Sequence, residues 1–284
     1  MKEIKIESYG KINLGLDVLY KREDNYHELS TIMQQIDLSD ILTIKDIKEG
    51  IKLESNHRDV PLDSRNLVYK SWEKIKEKTG INRGVYININ KRIPVSAGLA
   101  GGSTNAAATL KGLNELWDLK LNEEELRNIA VEIGADVPFC TMGGTALAEG
   151  IGEKLTKLKS FKNHQLLLIN PGMGVSTVEV YKNLRLKGKR TLDTNKIISS
   201  IENNDIKTLS DNMINVMEEV VLENNPIIEE IKNDLIKYGS LKPLMSGSGP
   251  TVFGFFDDLD KLHYCKDKLE KKYTKGIVVE GKTI

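Results

Sequence analysis

The sequence predicts an α+β protein built from two domains. Segments that alternate between apolar and polar residues dominate residues 1–90, while helical spacing dominates several later stretches, and the two do not follow a regular βαβ period. A chain of 284 residues is long enough for two domains of ordinary size. The charged segment 157–164 is the best candidate for a boundary, so we predict domains at 1–160 and 161–284.

Period-two alternation predicts the strands of the first domain. They cover residues 4–7, 12–18, 37–47, 51–54 and 85–90, with a hairpin centred on residues 150–152. Helical spacing predicts a helix over 67–78 that stops at Gly80, and another over 123–133 with Asn122 as its N-cap. A further helix carries Ala106, Leu110 and Leu113.

In the second domain the pattern predicts a strand over 165–170 and one amphipathic helix that carries Leu209, Met213, Val216 and Val220. A second helix starts at Pro226. We expect a strand over 244–256 that is interrupted at 247–250, a helix over 259–273 and a final strand over 276–280.

Composition excludes several classes of partner. Lys plus Arg and Asp plus Glu number 41 each, so no net charge favours nucleic acid or an anionic membrane. The N-terminus lacks the apolar core and cleavage site of a signal peptide, and no apolar run reaches membrane-span length, which predicts a cytoplasmic protein. Cys140 and Cys265 are expected to be reduced, partly buried thiols. The oligomeric state stays open.

The stretch PVSAGLAGGST at residues 94–104 follows a strand and precedes a helix. Glycine allows backbone amides to approach an anion, and a helix N-terminus favours negative charge, so the stretch is typical of a phosphate-binding loop. It lacks the lysine of a Walker loop and the glycine spacing of a dinucleotide fingerprint. Ser103 and Thr104 could cap the helix or reach a phosphate and its Mg²⁺. An ordinary strand-to-helix turn is the alternative.

Two charged residues suit phosphoryl transfer to an alcohol. A carboxylate such as Asp136 can accept the hydroxyl proton, and an ammonium such as Lys11 can stabilise developing charge. Taken singly, Lys11 is more simply a solvated lysine on the outer face of a strand, and Asp136 a turn residue. Tyr26 and His27 offer an aromatic face and an imidazole to a nucleobase, although a plain loop would also account for them.

Together these motifs resemble the GHMP kinase family, named for galactokinase, homoserine kinase, mevalonate kinase and phosphomevalonate kinase. The resemblance is carried by YGKINL at 9–14, NYHEL at 25–29, the loop at 94–104, GADVPF at 134–139 and MSGSGP at 245–250. The likeness runs nearly end to end, and within the family it points to kinases that act on a cytidine-diphosphate polyol in the non-mevalonate route to isoprenoid precursors.

The resemblance implies an N-terminal domain like ribosomal protein S5 domain 2 and a ferredoxin-like C-terminal domain, with the active site in the cleft between them. It implies direct transfer of the ATP γ-phosphate to the 2-hydroxyl of the polyol, with Mg²⁺ as a further cofactor. Asp136 would be the base and Lys11 its charged partner. The small-molecule substrate and ATP would be the only partners, without nucleic acid or membrane.

The resemblance also implies which residues bind the two substrates. The phosphate cradle would consist of Pro94, Val95, Ser96, Ala97, Gly98, Leu99, Ala100, Gly101, Gly102, Ser103 and Thr104. Asn66 and Lys91 would lie near the adenine. Tyr26, His27 and Tyr181 would form the cytosine site, with Asn13 and Thr177 close to the substrate. The metal ligands remain unknown, with Ser103 only a candidate.

Two alanines, Ala97 and Ala100, stand where many members of the family have glycine. Because alanine would be strained at positive φ, we expect that neither position requires it. Two other functions remain open: a different small-alcohol kinase of the same family, of the homoserine or mevalonate type, and a non-catalytic nucleotide-binding regulator on the same fold.

Overall fold

The computed structural model describes residues 2–186 and 191–284. Ten strands run over Glu3–Lys21 (β1), His27–Ile47 (β2), Ile51–Ser55 (β3), Gly84–Asn90 (β4), Thr145–Gly150 (β5), Lys154–Lys157 (β6), Gln165–Asn170 (β7), Leu244–Met245 (β8), Val252–Phe256 (β9) and Ile277–Lys282 (β10). Ten helices run over Leu67–Thr79 (α1), Gly101–Leu116 (α2), Glu123–Val131 (α3), Val137–Met142 (α4), Thr177–Asn183 (α5), Thr194–Glu202 (α6), Ile206–Asn212 (α7), Glu218–Asn224 (α8), Pro226–Lys237 (α9) and Leu259–Lys272 (α10). Both counts refer to the described residues. The predicted α+β class is confirmed.

The chain folds into two compact units, each assembled from separate segments. The first unit contains residues 2–10, Leu38–Val95 and Ala100–Gly143. The second contains Lys11–Asp37, Ser96–Leu99 and the described part of 144–284. The long strands β1 and β2 are each divided: one end of the strand belongs to the first unit and the other end to the second. A division at 160/161 remains a prediction.

The first unit combines a small mixed sheet with helices. The last part of β2 pairs antiparallel with β4, and β4 pairs parallel with β3. α1 packs on α2, and α4 packs on both α2 and α3. Val85, Ile87 and Ile44 on the strands and Leu110 and Leu113 on α2 are fully buried. Burial of such side chains is the main contribution to folding.

Two helix ends in the first unit confirm the predicted caps. Asn122 and Glu125 form a reciprocal capping box at the start of α3. Gly80 ends α1 in the left-handed conformation, with a φ of 71°. These local signals predicted helix limits because each satisfies backbone groups that the helix itself leaves unpaired.

The second unit contains two antiparallel layers. The first part of β2 pairs with β5, which pairs with β6 through the predicted hairpin. A separate four-stranded sheet has the order β10–β7–β9–β8, and α9 and α10 pack against it. Its apolar cluster includes Leu167, Ile169, Ile231, Leu262 and Leu269. The predicted interruption of the strand over 244–256 is confirmed, since β8 and β9 flank it.

The single helix predicted over Leu209 to Val220 is wrong, because the structure has two helices, α7 and α8, at that place. Asn215 lies between them and is buried. Its Nδ2 donates to the carbonyl oxygens of Met245 (2.8 Å) and Gly247 (2.7 Å). On either side of Asn215, the carbonyl of Ile214 and the amide of Val216 pair with Leu16 of β1. The helix is therefore broken by partners distant in sequence.

Candidate active site

The candidate phosphate loop begins after β4 and ends in the first turn of α2. α2 starts at Gly101, with Ala100 as its N-cap residue, and no side chain from the described residues caps it. Amides of the first turn lack partners within a helix and are available to an anion. Of the two roles left open for Ser103 and Thr104, capping the helix is therefore not the one that the structure shows. Thr104 is buried and its Oγ1 donates to the carbonyl oxygen of Tyr9 at 2.6 Å.

Three residues of the loop adopt left-handed backbone conformations. The φ angles are 53° for Ser96, 75° for Gly98 and 56° for Ala100. The expectation that neither alanine requires positive φ is thus correct for Ala97 and wrong for Ala100. Left-handed backbone costs a residue with a Cβ roughly 1–2 kcal/mol, so strain is placed where the helix begins.

Gly98 is the one loop residue whose lack of a side chain is required by a close approach. A Cβ at this position would collide with the carbonyl oxygen of Ser246. Ser246 in turn donates from Oγ to the carbonyl oxygen of Gly98 at 2.9 Å. The second glycine-rich loop, 246–250, therefore packs directly on residue 98, and buried Asn215 donates from Nδ2 to the carbonyl oxygens of Met245, just before this loop, and of Gly247 within it.

Lys91 directly follows β4 in sequence, and its ammonium lies near the start of α2, within the first unit. Its side chain is 5% exposed, and its ammonium forms an ion pair with Asp40 and donates to Asn105 Oδ1 at 3.2 Å. A Cβ on Gly101 would lie 3.0 Å from Nζ, which places the ammonium beneath the first turn of the helix. Asn66, predicted with Lys91 for the adenine, is the N-cap of α1 and accepts from the amide of Val68 at 2.9 Å.

Asp40 is a residue that sequence reasoning missed. Its carboxylate is fully buried. Oδ1 accepts from the amides of Arg92 (2.7 Å) and Ile93 (2.8 Å), and Oδ2 accepts from Lys91 and from Asn105 Nδ2 (2.8 Å). One side chain thus holds the segment that enters the phosphate loop and the helix that leaves it. An Asp in a strand is a weak signal by itself, although buried carboxylates with several partners are uncommon.

The two predicted catalytic residues belong to different units. Asp136 is half-buried, at the N-terminal end of α4 in the first unit. Lys11 lies in β1, in the second unit, and its expected outward, solvated placement is wrong because the residue is only 4% exposed. Its Nζ donates to Asn13 Oδ1 at 2.7 Å. Asn13, a predicted substrate residue, is thus in direct contact with a predicted catalytic residue.

The predicted cytosine site lies entirely in the second unit. The rings of His27 and Tyr181 are stacked, with centroids 5.0 Å apart and planes inclined by 21°. Burial and, secondarily, the charge of Lys21 lower the pKa of His27, so its imidazole is neutral at pH 7. Tyr26 is 60% exposed, and the stack of His27 on Tyr181 does not include its ring. Thr177 Oγ1 lies 2.7 Å from Ser248 Oγ of the second glycine-rich loop.

The described residues contain no cluster of three or more His, Cys, Asp or Glu side chains that could hold a metal ion. Mg²⁺ commonly binds nucleotide phosphates through one or two protein ligands, so a protein cage is not required. No helix among the described residues combines the length and apolar character needed to cross a membrane.

Family models and curated relatives both match this chain to the same family of kinases, and the relatives cover nearly its whole length. The GHMP kinases N terminal domain matches residues 66–144, and the GHMP kinases C terminal domain matches residues 197–275. A protein of Clostridium botulinum (strain Alaska E43 / Type E3) named 4-diphosphocytidyl-2-C-methyl-D-erythritol kinase is 52% identical, over 94% of this chain and 96% of its own length. A Clostridium novyi (strain NT) protein of the same name is 51% identical over 94% and 95%.

Solved structures give the same result at the level of the fold. A crystal structure of 4-(cytidine 5'-diphospho)-2C-methyl-D-erythritol kinase matches with a TM-score of 0.83 at 29% identity, over 99% of both chains. A homoserine kinase from Cytophaga hutchinsonii matches with a TM-score of 0.81 at 20% identity, over 100% of this chain and 95% of its own, and shows the fold alone. The chain therefore has the two-domain GHMP kinase fold, is a kinase, and belongs to the GHMP kinase family.

Proposed function

We propose that this kinase transfers the γ-phosphoryl group of ATP to the 2-hydroxyl of 4-diphosphocytidyl-2-C-methyl-D-erythritol, in the cytoplasm, as a step of non-mevalonate isoprenoid precursor synthesis. The observation that carries the choice of substrate is the stacked pair of His27 and Tyr181. The names of the Clostridium relatives, about half identical over nearly the whole chain, support the same choice.

The stacked pair suits a cytosine ring. Aromatic faces bind nucleobases by stacking, and a neutral imidazole carries one donor and one acceptor nitrogen. His27 is held neutral by its lowered pKa, so it can hydrogen-bond to the base without adding a charge. Exposed Tyr26 is adjacent in sequence and supplies a further ring that can close over the base. Thr177 and Asn13 would contact the polyol.

The phosphate loop suits ATP. The first-turn amides of α2 and the left-handed residues Ser96, Gly98 and Ala100 offer backbone donors to phosphate oxygens. Lys91 lies beneath this turn, where its ammonium is ion-paired with buried Asp40 and donates to Asn105 of α2. Its contact with adenine, and that of Asn66, remain proposals. Mg²⁺, when bound with ATP, would neutralise phosphate charge, and Ser103 is the loop hydroxyl that is a candidate ligand for it.

In the transfer itself, the 2-hydroxyl oxygen forms a bond to the γ-phosphorus as the bond from this phosphorus to the ADP oxygen breaks. Asp136 accepts the proton that the hydroxyl loses. The ammonium of Lys11 stabilises the negative charge that develops on the attacking oxygen. No covalent enzyme intermediate is required, so positioning and charge account for catalysis.

Two competing functions make different predictions. A homoserine or mevalonate kinase would not need a pair of stacked rings for its small aliphatic substrate. A non-catalytic regulator would not need Lys11 as a buried ammonium in contact with Asn13, since burying a charge costs free energy without a catalytic return.

The experiment is a comparison of acceptors. Purified protein with MgATP is given 4-diphosphocytidyl-2-C-methyl-D-erythritol, homoserine, mevalonate or galactose, and ADP release is followed by a coupled assay. We expect ADP release with the cytidyl substrate and background release with the others. Robust turnover of another acceptor without turnover of the cytidyl substrate would reject the proposal, and binding of ATP with no turnover of any acceptor would favour the regulator.

A further inference from the structure

A buried chain of hydrogen bonds links Lys11 to the backbone of β1 through a residue with no assigned role. Lys11 Nζ donates to Asn13 Oδ1 (2.7 Å), and Asn13 Nδ2 donates to Thr31 Oγ1 (2.8 Å). Thr31 Oγ1 then donates to the carbonyl oxygen of Gly15 at 2.7 Å. Lys11, Asn13 and Thr31 are 4%, 1% and 1% exposed. All four residues belong to the second unit.

The donor and acceptor roles along this series of hydrogen bonds are fixed by its two ends. An ammonium can only donate, so Asn13 must present its oxygen to Lys11 and its NH₂ group to Thr31. The hydroxyl of Thr31 accepts that bond and has a single proton, which goes to the carbonyl of Gly15 because a carbonyl can only accept. The reversed amide would place NH₂ against NH₃⁺ in a buried site, where an unmatched polar contact is costly.

We propose that Thr31 is a positioning residue for phosphoryl transfer. Its hydroxyl fixes the orientation of the Asn13 amide, and the amide oxygen fixes the position of the Lys11 ammonium. Thr31 touches neither substrate nor ATP in this account and acts only through Asn13. The inference rests on the proposed role of Lys11, but it holds for whichever alcohol the enzyme phosphorylates.

Thr31→Val tests the proposal, because valine has nearly the same shape and lacks the hydroxyl. The NH₂ group of Asn13 then loses its acceptor, and the amide can rotate away from Lys11. We expect kcat to fall at least about tenfold, while the Kd for ATP, measured by titration without acceptor, changes less than about twofold. Thr31→Ser, which restores the hydroxyl, should recover kcat to within about threefold of wild type.

Thr145→Val is the matched control. Thr145 is 2% exposed, accepts from the amide of Phe161 at 3.1 Å and donates to Gln34 Oε1 at 2.6 Å. Its hydroxyl is therefore similarly buried and likewise accepts one N–H bond and donates one bond to an amide oxygen, on the neighbouring strand of the same sheet. We expect a similar fall in melting temperature in the two valine variants and an unchanged kcat in Thr145→Val.

A double-mutant cycle separates positioning from general damage. In an Asn13→Ala background, Thr31→Val should have no further effect on kcat, because the route to Lys11 is already broken. An unchanged kcat in Thr31→Val, an equal fall in Thr145→Val, or a full additional fall in the Asn13→Ala background would each overturn the proposal. If the wild type phosphorylates a different acceptor, the substrate proposal fails alone, and the cycle is run with that acceptor.

Discussion

At the scale of single residues, backbone strain at the phosphate loop falls on the two residues that combine a positive φ with a Cβ, Ser96 and Ala100, and Ala100 directly precedes α2. Ala100 is left-handed although it carries a Cβ, whereas Ala97 in the same loop is not among the positive-φ residues. Relief of the left-handed penalty by glycine exceeds the entropy that glycine loses on folding. Substitution by glycine should therefore raise the free energy of unfolding at Ala100 and lower it at Ala97.

Ala100→Gly should raise the free energy of unfolding by about 0.5–1 kcal/mol, as measured by urea titration. Ala97→Gly is the control: Ala97 is 3% exposed, so the change removes a buried methyl group and adds flexibility, and stability should fall. A loss of stability in Ala100→Gly comparable to that in Ala97→Gly would contradict the left-handed assignment.

The role proposed for Asp136 also belongs to the residue scale. Asp136→Asn keeps the size of the side chain but cannot accept the hydroxyl proton. We expect ATP to bind with nearly wild-type affinity and kcat to fall by about 10²–10⁴-fold, since a general base acts mainly in the transition state. Glu132→Gln, an exposed acidic residue on the preceding turn, is the control and should keep full turnover. Unchanged turnover in Asp136→Asn would remove this residue from the mechanism.

At the scale of elements, the phosphate loop is held by β2. Asp40 binds the Lys91–Ile93 segment before the loop and Asn105 in α2 after it. Removing the charge of Asp40 would leave the buried ammonium of Lys91 without its counter-ion at the positive end of a helix, where a cation is already disfavoured.

Asp40→Asn should lower the free energy of unfolding by about 3–5 kcal/mol, because a buried charge loses its partner. Asp46 provides a matched control on the same strand: it pairs with Arg83, but both side chains are partly exposed. Asp46→Asn should cost less than about 1 kcal/mol. Urea unfolding of both variants measures the difference, and equal effects would show that Asp40 does not hold the segment before the loop and α2 together.

Elements whose limits depend on nearby residues were predictable from the sequence. Asn122, Gly80 and the Gly150–Gly152 hairpin act within a few residues, and the structure has them as expected. The length of β1 was not predictable: the two short strands predicted within it form one strand, Glu3–Lys21, because pairing with another strand, β2, overrides the local pattern. The same cause, contact with Met245 and Gly247, breaks the helix predicted over Leu209 to Val220.

The residues of the candidate site also fall into those that could be predicted from the sequence and those that could not. The glycine-rich loops, Lys11, Asp136 and Tyr26-His27 could be identified from sequence because their motifs resemble a family. Asp40, Thr31 and Asn215 could not, since each is an ordinary polar residue until folding surrounds it with partners. The burial of Lys11 was missed for the same reason: alternation along β1 assigned it to solvent, but both faces of that part of the strand are covered.

At the scale of the whole molecule, the chain forms two units that are each discontinuous in sequence, with β1 and β2 contributing to both. A boundary drawn from composition describes two continuous segments, and a division at 160/161 remains a prediction. The family models match residues 66–144 and 197–275.

The central claim is that this kinase phosphorylates the 2-hydroxyl of a cytidine-diphosphate polyol. The most direct measurement is ³¹P NMR of a reaction that contains the protein, MgATP and 4-diphosphocytidyl-2-C-methyl-D-erythritol. We predict that a new phosphomonoester signal grows in step with ADP, that it shows no three-bond coupling to a proton because C2 carries none, and that the pyrophosphate signals of the cytidyl group are retained. Consumption of ATP without that signal, or a phosphomonoester formed only when homoserine or mevalonate is supplied, would contradict the account.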